Sequence, residues 1–164
     1  MGLYTKLYSF SPENFSNETV FFRLITDEDD LAYAIFECQL DDAQKELVNP
    51  AGFSIGRAFL RPEDNFPCVI CSVDGQRVGF INLCVWLGQG DAYSWSYYID
   101  KEHQGKGYGR SAAMLTVRLL KAVDGCKAIK IATEKENVRA QKLYRSLGFT
   151  LLDELDGDDL VFGL

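Results

Sequence analysis

The sequence predicts an α+β fold of mixed α/β type, one domain with seven strands and four helices in the order β-α-α-β-β-β-α-β-α-β-β. Three observations carry the prediction. The chain has 164 residues, enough to bury a core without disulfide staples. Runs of β-forming residues alternate with runs whose apolar residues recur at helical spacing. Asp74-Gly75-Gln76 and Asp156-Gly157-Asp158 each stand between two strand-like runs, the mark of hairpins, so much of the sheet is antiparallel.

Residues 1–18 are polar and irregular and are expected to form a loosely held arm ahead of a domain over 19–164. Thr19 to Ile25 reads as the first strand. Thr26 or Asp27 caps a helix from about Glu28 to Gln39, which buries Leu31, Ala34 or Ile35, and Cys38. A second helical piece covers Asp42 to Val48 and stops at Asn49-Pro50; Gly52 to Glu63 is a loop or a short helix. Pro67–Val73, Arg77–Val85 and Ala92–Ile99 read as three strands. A helix runs from Tyr108 to Ala122 with Ala113, Val117 and Leu120 on one face and Ala112, Leu115 and Leu119 beside it; Asp124-Gly125 ends it. Lys127 to Ala132 alternates as a strand. Asn137 opens a helix whose Ala140, Leu143, Tyr144 and Leu147 share a face, and Gly148 closes it. Phe149–Leu155 and Leu160–Leu164 make the final hairpin.

Charge is unevenly placed. Residues 1–66 carry 12 acidic and 5 basic side chains, whereas residues 101–145 carry 11 basic and 4 acidic ones. A basic segment in a chain of net charge −7 favours an anionic small ligand there and disfavours nucleic acid. No apolar run approaches a membrane span, and the first residues lack the core of a signal peptide. Five scattered cysteines are expected to be reduced, which points to a cytoplasmic setting. Cys68 and Cys71 spell CxxC, but in a strand residues three apart face opposite ways and no second pair completes a site, so no metal is expected.

The most informative stretch is Tyr97-Tyr98-Ile99-Asp100-Lys101-Glu102-His103-Gln104-Gly105-Lys106-Gly107-Tyr108-Gly109-Arg110. A strand ends, three glycines follow at alternate positions, and a helix begins. Bare backbone N–H groups together with the positive end of a helix dipole make a cradle for phosphate or pyrophosphate. A Walker loop fits weakly because no Ser or Thr follows the lysine in place, and a Rossmann fingerprint fits weakly because the sixth position is Arg110 or Ala112 rather than glycine. Gln104-Gly105-Lys106-Gly107-Tyr108-Gly109 satisfies [RQ]-x-x-G-x-[GA], and Asn137 to Phe149 satisfies N-x-x-A-x-x-x-Y-x-x-x-G-F. On these two segments the chain resembles the GNAT acetyltransferase superfamily over roughly residues 19–164. The phrase around Gln104 to Arg110, apart from His103 where that group has Tyr, and the stretch Phe53 to Glu63 are similar to bacterial polyamine and diamine acetyltransferases.

The resemblance implies the GNAT acyl-CoA N-acyltransferase fold, a central, mostly antiparallel twisted sheet of about seven strands flanked by four helices. It implies acetyl-CoA as co-substrate, without a metal. It also implies direct attack of a primary amine on the thioester, the amine being a cationic small molecule, a polyamine or diamine such as spermidine or spermine. Tyr97, Tyr98 and Ile99 would flank the pantetheine arm, with the N–H of Tyr98 or Ile99 facing the thioester oxygen. The backbone from Gly105 through Lys106, Gly107, Tyr108 and Gly109 to Arg110, following Gln104, would take the pyrophosphate. Asn137 would contact the arm, or cap its helix, or both. Tyr144 would be the acid that protonates the departing thiolate, against the alternative of a core aromatic. Glu28, Glu37, Asp41 and Asp42 lie in helices that line the acceptor side in that family, yet a solvated face explains them equally, and the base is unassigned. His103 is expected to be a surface-loop residue. A homodimer through sheet edges or the 149–164 hairpin is implied. Acceptors such as protein N-termini or aminoglycosides stay open, as does a non-catalytic acyl-CoA-binding module.

Overall fold

The computed structural model describes residues 1–164. The strands are β1 (Val20–Leu24), β2 (Asn65–Ser72), β3 (Arg77–Trp86), β4 (Gln89–Ile99), β5 (Ala128–Thr133), β6 (Thr150–Asp156) and β7 (Asp159–Gly163). The helices are α1 (Leu3–Tyr8), α2 (Glu28–Ala32), α3 (Asp42–Lys45), α4 (Ala51–Leu60), α5 (Tyr108–Ala122) and α6 (Val138–Ser146). The strands form one sheet in the order β1-β2-β3-β4-β5-β7-β6, antiparallel everywhere except between β4 and β5. On one face, Ile81, Leu83, Tyr93 and Trp95 join Ala113, Leu115, Leu119 and Leu120 of α5 in the main core. On the other, Phe80 packs on Ala34 and on Ala51 of α4. Cys68 belongs to the main core and Cys71 to a separate cluster with Tyr33 and Cys38, so the two thiols do face apart.

Three expectations change. The expected loose arm instead contains α1, whose Leu3 and Leu7 are buried in the main core. Six residues with two leucines are too short to show a helical period, yet Tyr4 lies against Phe66 at 5.3 Å and Lys6 Nζ donates to the carbonyl of Asp124 at 2.8 Å. The loop or short helix after Gly52 is a ten-residue helix, α4, which brings the total to six α-helices instead of four. The helix expected over 28–39 is interrupted: after Ala32 the chain takes a wider π-turn over Tyr33–Glu37, closed by Cys38 N–H donating to the carbonyl of Tyr33 at 2.8 Å. Ile35, within the π-turn, is exposed, while Asp30 of α2 is fully buried. Arg23 and Arg77 each meet the Asp30 carboxylate at 2.7 Å, and their guanidinium groups hold its pKa below the usual carboxylate range. No helix is long and apolar enough to cross a membrane.

Candidate active site

β4 and β5 pair only at Ala92–Ala128 and Tyr93–Ile129, although β4 continues to Ile99 and β5 to Thr133. Beyond Tyr93 the two strands part and leave a gap in the sheet. Residue parity settles which backbone groups face it. Asp100 N–H donates to Val78 on the β3 side, and the Asp91 carbonyl accepts from Lys127 on the β5 side. In an antiparallel ladder the direction alternates, so Tyr98 turns its N–H toward Phe80 of β3 while Trp95, Tyr97 and Ile99 turn theirs toward the gap. Of the two candidates for facing a thioester oxygen, Ile99 has the open N–H.

The glycine turn lies at the end of this edge. Gly105 (φ 76) and Gly107 (φ 85) adopt left-handed backbone, and Gly107 is the N-cap of α5. A Cβ on either would meet nothing within 4 Å, so both face open space. The N–H groups from Gly105 to Arg110 have no backbone acceptor. An anion placed over them meets a row of free donors at the positive end of a 15-residue helix.

A cavity of about 390 Å³ runs along the gap and over this turn. Tyr97, Tyr98, Ile99, Gln104, Gly105 and Gly107 line it, as do Tyr108, Gly109, Arg110, Asn137 and Tyr144; of the expected site residues only Lys106 does not. Lys106 instead turns its ammonium to the Glu102 carbonyl at 3.2 Å. The Tyr97 hydroxyl donates to the Gly109 carbonyl at 3.2 Å and ties the strand to α5. The Tyr98 hydroxyl accepts from Ala51 N–H at 3.3 Å, fixing the start of α4, and burial pushes its pKa up to about 12. The Gln104 amide donates to the Ile99 carbonyl at 3.0 Å and to Gln44 Oε1 at 2.8 Å. Arg110 reaches Ser146 Oγ at 2.7 Å, joining α5 to α6. Asn137 caps α6 by accepting from Ala140 N–H at 3.1 Å through Oδ1, which leaves its NH₂ for the cavity.

Tyr144 stands where the gap meets α6. Its ring is buried edge-on to Trp95 at 6.0 Å and tilted against Phe149, and its hydroxyl bonds to no protein atom. Burial, with a smaller contribution from Tyr97, raises its pKa far above that of an ordinary phenol, so the proton stays on oxygen. The same residue thus packs in the core and turns a protonated hydroxyl to the cavity.

A second cavity of about 230 Å³ meets the first at Leu47, Val48, Tyr97, Asn137 and Tyr144 and extends to the α4 side of the sheet. Its wall is unusually polar for a sheet interior: Ser54 and Arg57 of α4, Asn82 of β3, and Ser94 and Ser96 of β4, with Asp156 and Asp159 from the last hairpin. Cys84 also lines it, but burial pushes its thiol up to about 11, too high to supply a thiolate nucleophile near neutrality. Glu28, Glu37, Asp41 and Asp42 line neither cavity. His103, expected at the surface, lines the first cavity with Nδ1 buried and without a partner. Gln44, Leu47 and Val48, which close the first cavity from above, carried no motif in the sequence; only their place next to the Asn49-Pro50 stop marked them. No group of three or more His, Cys, Asp or Glu side chains is arranged to hold a metal ion.

Residues 22–149 match the acetyltransferase (GNAT) family. A 72-residue segment is 33% identical to the "Probable spermine N(1)-acetyltransferase" of Bacillus subtilis subsp. natto, covering 44% of this chain and 43% of that protein. The spermine/spermidine N(1)-acetyltransferase of Bacillus subtilis strain 168 is 32% identical over a segment of the same length. The matched segments thus span less than half of either relative. Among solved structures, the aminoglycoside acetyltransferase AAC(6')-Ib in complex with coenzyme A superposes with a TM-score of 0.70 at 20% identity, over 88% of this chain and 94% of that one. Mycobacterium smegmatis RimJ in complex with CoA-disulfide superposes at 0.68 with 20% identity, over 88% and 81%. At such identities these structures speak for the fold alone.

Proposed function

The chain belongs to the GNAT acetyltransferase family, and from that premise we propose that it moves acetyl from acetyl-CoA to a primary amine of a polyamine or diamine such as spermidine or spermine. The observation that carries the proposal is the meeting of two cavities at one gap in the sheet, beside a Tyr144 hydroxyl that keeps its proton. Acetyl-CoA supplies the acetyl group already activated as a thioester. Free N–H groups from Gly105 to Arg110 suit its pyrophosphate, and the open edge of β4 suits its amide-bearing arm, which the Asn137 NH₂ also meets. Ile99 N–H, steadied through the Gln104 bond to the Ile99 carbonyl, takes the developing oxyanion. The amine arrives through the second, polar cavity, gives one ammonium proton to water and attacks the thioester carbon directly; the proton it sheds as the amide forms restores the Tyr144 hydroxyl. Tyr144 gives its proton to the departing thiolate sulfur. The high pKa of Cys84 supports direct attack over an acyl-enzyme.

Five free cysteines support a cytoplasmic setting. A homodimer is proposed through β6, an open sheet edge on which Leu151 and Leu155 are exposed. The test is release of free CoA thiol from acetyl-CoA across polyamines, N-terminal peptides and aminoglycosides. Turnover on polyamines alone is the expected result. Turnover only on peptides or aminoglycosides replaces the acceptor, and tight acetyl-CoA binding with no turnover on any of them marks a binding module.

A further inference from the structure

Asp156 and Asp159 are direct cross-strand partners flanking the Gly157-Asp158 turn, and Gly157 at φ 61 closes that turn tightly. Like charges held opposite one another across a hairpin cost stability. Neither carboxylate has an ion-pair partner; the bridges to Lys127 and Lys130 are made by Asp91 and Glu154. Both line the second cavity. Burial, and then the charges of Asp156, Asp158 and Glu136, push the Asp159 carboxyl above its ordinary range, the mark of negative charges gathered without compensation.

A separate observation places a polar guest in the same cavity. Asn82, on the α4-side wall, is 2% exposed, and its Oδ1 is without a hydrogen-bond partner. Orphaned polar atoms at such burial are costly unless a ligand or water meets them. Asn82 Oδ1 can accept from an ammonium, and Trp86 adds an aromatic side chain to the same wall. Arg57 lines the cavity from the α4 side with no acidic partner, which makes the site electrically one-sided and directs a cation toward the hairpin.

We propose that Asp156 and Asp159 seat a second, non-reacting ammonium of the acceptor, so that the substrate must carry at least two amines. This rests on the acetyl-transfer reading and narrows it: the anionic groups that select the acceptor come from the last hairpin rather than from the acidic N-terminal helices.

The test compares α,ω-diamines of four to eight carbons with monoamines of equal length, using the full chain and acetyl-CoA. At the best length, kcat/KM for the diamine should exceed that for the monoamine at least a hundredfold. In Asp156→Asn/Asp159→Asn the preference should fall to under tenfold through a rise in the diamine KM, with a melting temperature at or above wild type. Wild-type enzyme that uses monoamines within tenfold of diamines overturns the proposal, as does a double variant that keeps the preference. If wild type acetylates no amine, calorimetry of spermidine with the CoA-loaded protein decides. Binding weakened tenfold by the double substitution keeps the ammonium seat and discards acetyl transfer; absence of binding discards both.

Discussion

The cavity at the glycine turn draws most of its lining from one continuous stretch, residues 97–110, with a second contribution from 137–144. The cavity beyond the gap takes its wall from α4, β3, β4, β5 and the 156–159 turn, segments as much as a hundred residues apart. The first offers mainly backbone N–H groups and the second mainly side chains. A backbone cradle needs a local conformation, and a few glycines at fixed spacing specify it. A side-chain cradle needs only that distant positions converge, which any of several residue types can satisfy. The same protein can thus announce one ligand in its sequence and leave the other to its fold.

The sharpest test of this contrast is at the boundary. Tyr144 borders both cavities, so Tyr144→Phe should lower kcat a hundredfold or more while leaving the KM for acetyl-CoA within about twofold, since proton transfer by a placed acid is worth roughly 10²–10⁴. Steady-state kinetics decide; an unaltered kcat would remove Tyr144 as the acid.

Next comes a carboxylate that belongs to neither cavity. Asp30→Asn should cost about 2–3 kcal/mol in urea unfolding, below the usual range for a broken buried pair because Arg23 and Arg77 are 42% and 34% exposed. The acceptor KM should not move. Because the Asp30 pKa is lowered on folding, its contribution is present above the unfolded value near 4 and is lost as pH falls through that value toward the folded one. Melting curves from pH 6 to pH 3 should show that decline in wild type and less of it in the variant.

A smaller effect is expected at the turn itself. Gly107→Ala meets no neighbour but must hold φ 85, a strain of about 1–2 kcal/mol. Acetyl-CoA affinity, followed by calorimetry, should drop about tenfold, with the acceptor preference unchanged. The smallest effect is at the N-terminal acids: Glu28→Gln/Asp42→Asn should change the acceptor KM less than twofold. A large rise there would return the acceptor site to the N-terminal helices and erase the contrast.

Legibility followed the same division within the fold. The α5 boundaries, Tyr108 to Ala122, agree with the sequence expectation because glycines precede the helix and its apolar face keeps a regular 3.6 period for four turns. Asn137 was ambiguous between cap and contact, and its two amide ends allow both. The π-turn at Tyr33–Glu37 was invisible because its cause is tertiary: Asp30 is drawn inward by two arginines on other elements. The gap between β4 and β5 was invisible too, since a strand's own residues do not record where its neighbour leaves it. His103, read as a loop residue from its position, reaches the cavity because the short 3₁₀ turn at Lys101–His103 folds it back toward Tyr108.

The burial of Leu3 and Leu7 also orders events in time. Lys6 bonds the Asp124 carbonyl across 118 residues of sequence and reaches the Tyr93 hydroxyl at 3.3 Å. Contacts so distant along the chain close late in folding. During synthesis the α1 leucines therefore leave the ribosome long before the strands and the α5 terminus that cover them. Until residues 62–72, on which α1 packs, have emerged, the nascent chain carries that small apolar face uncovered, and the finished enzyme no longer displays it.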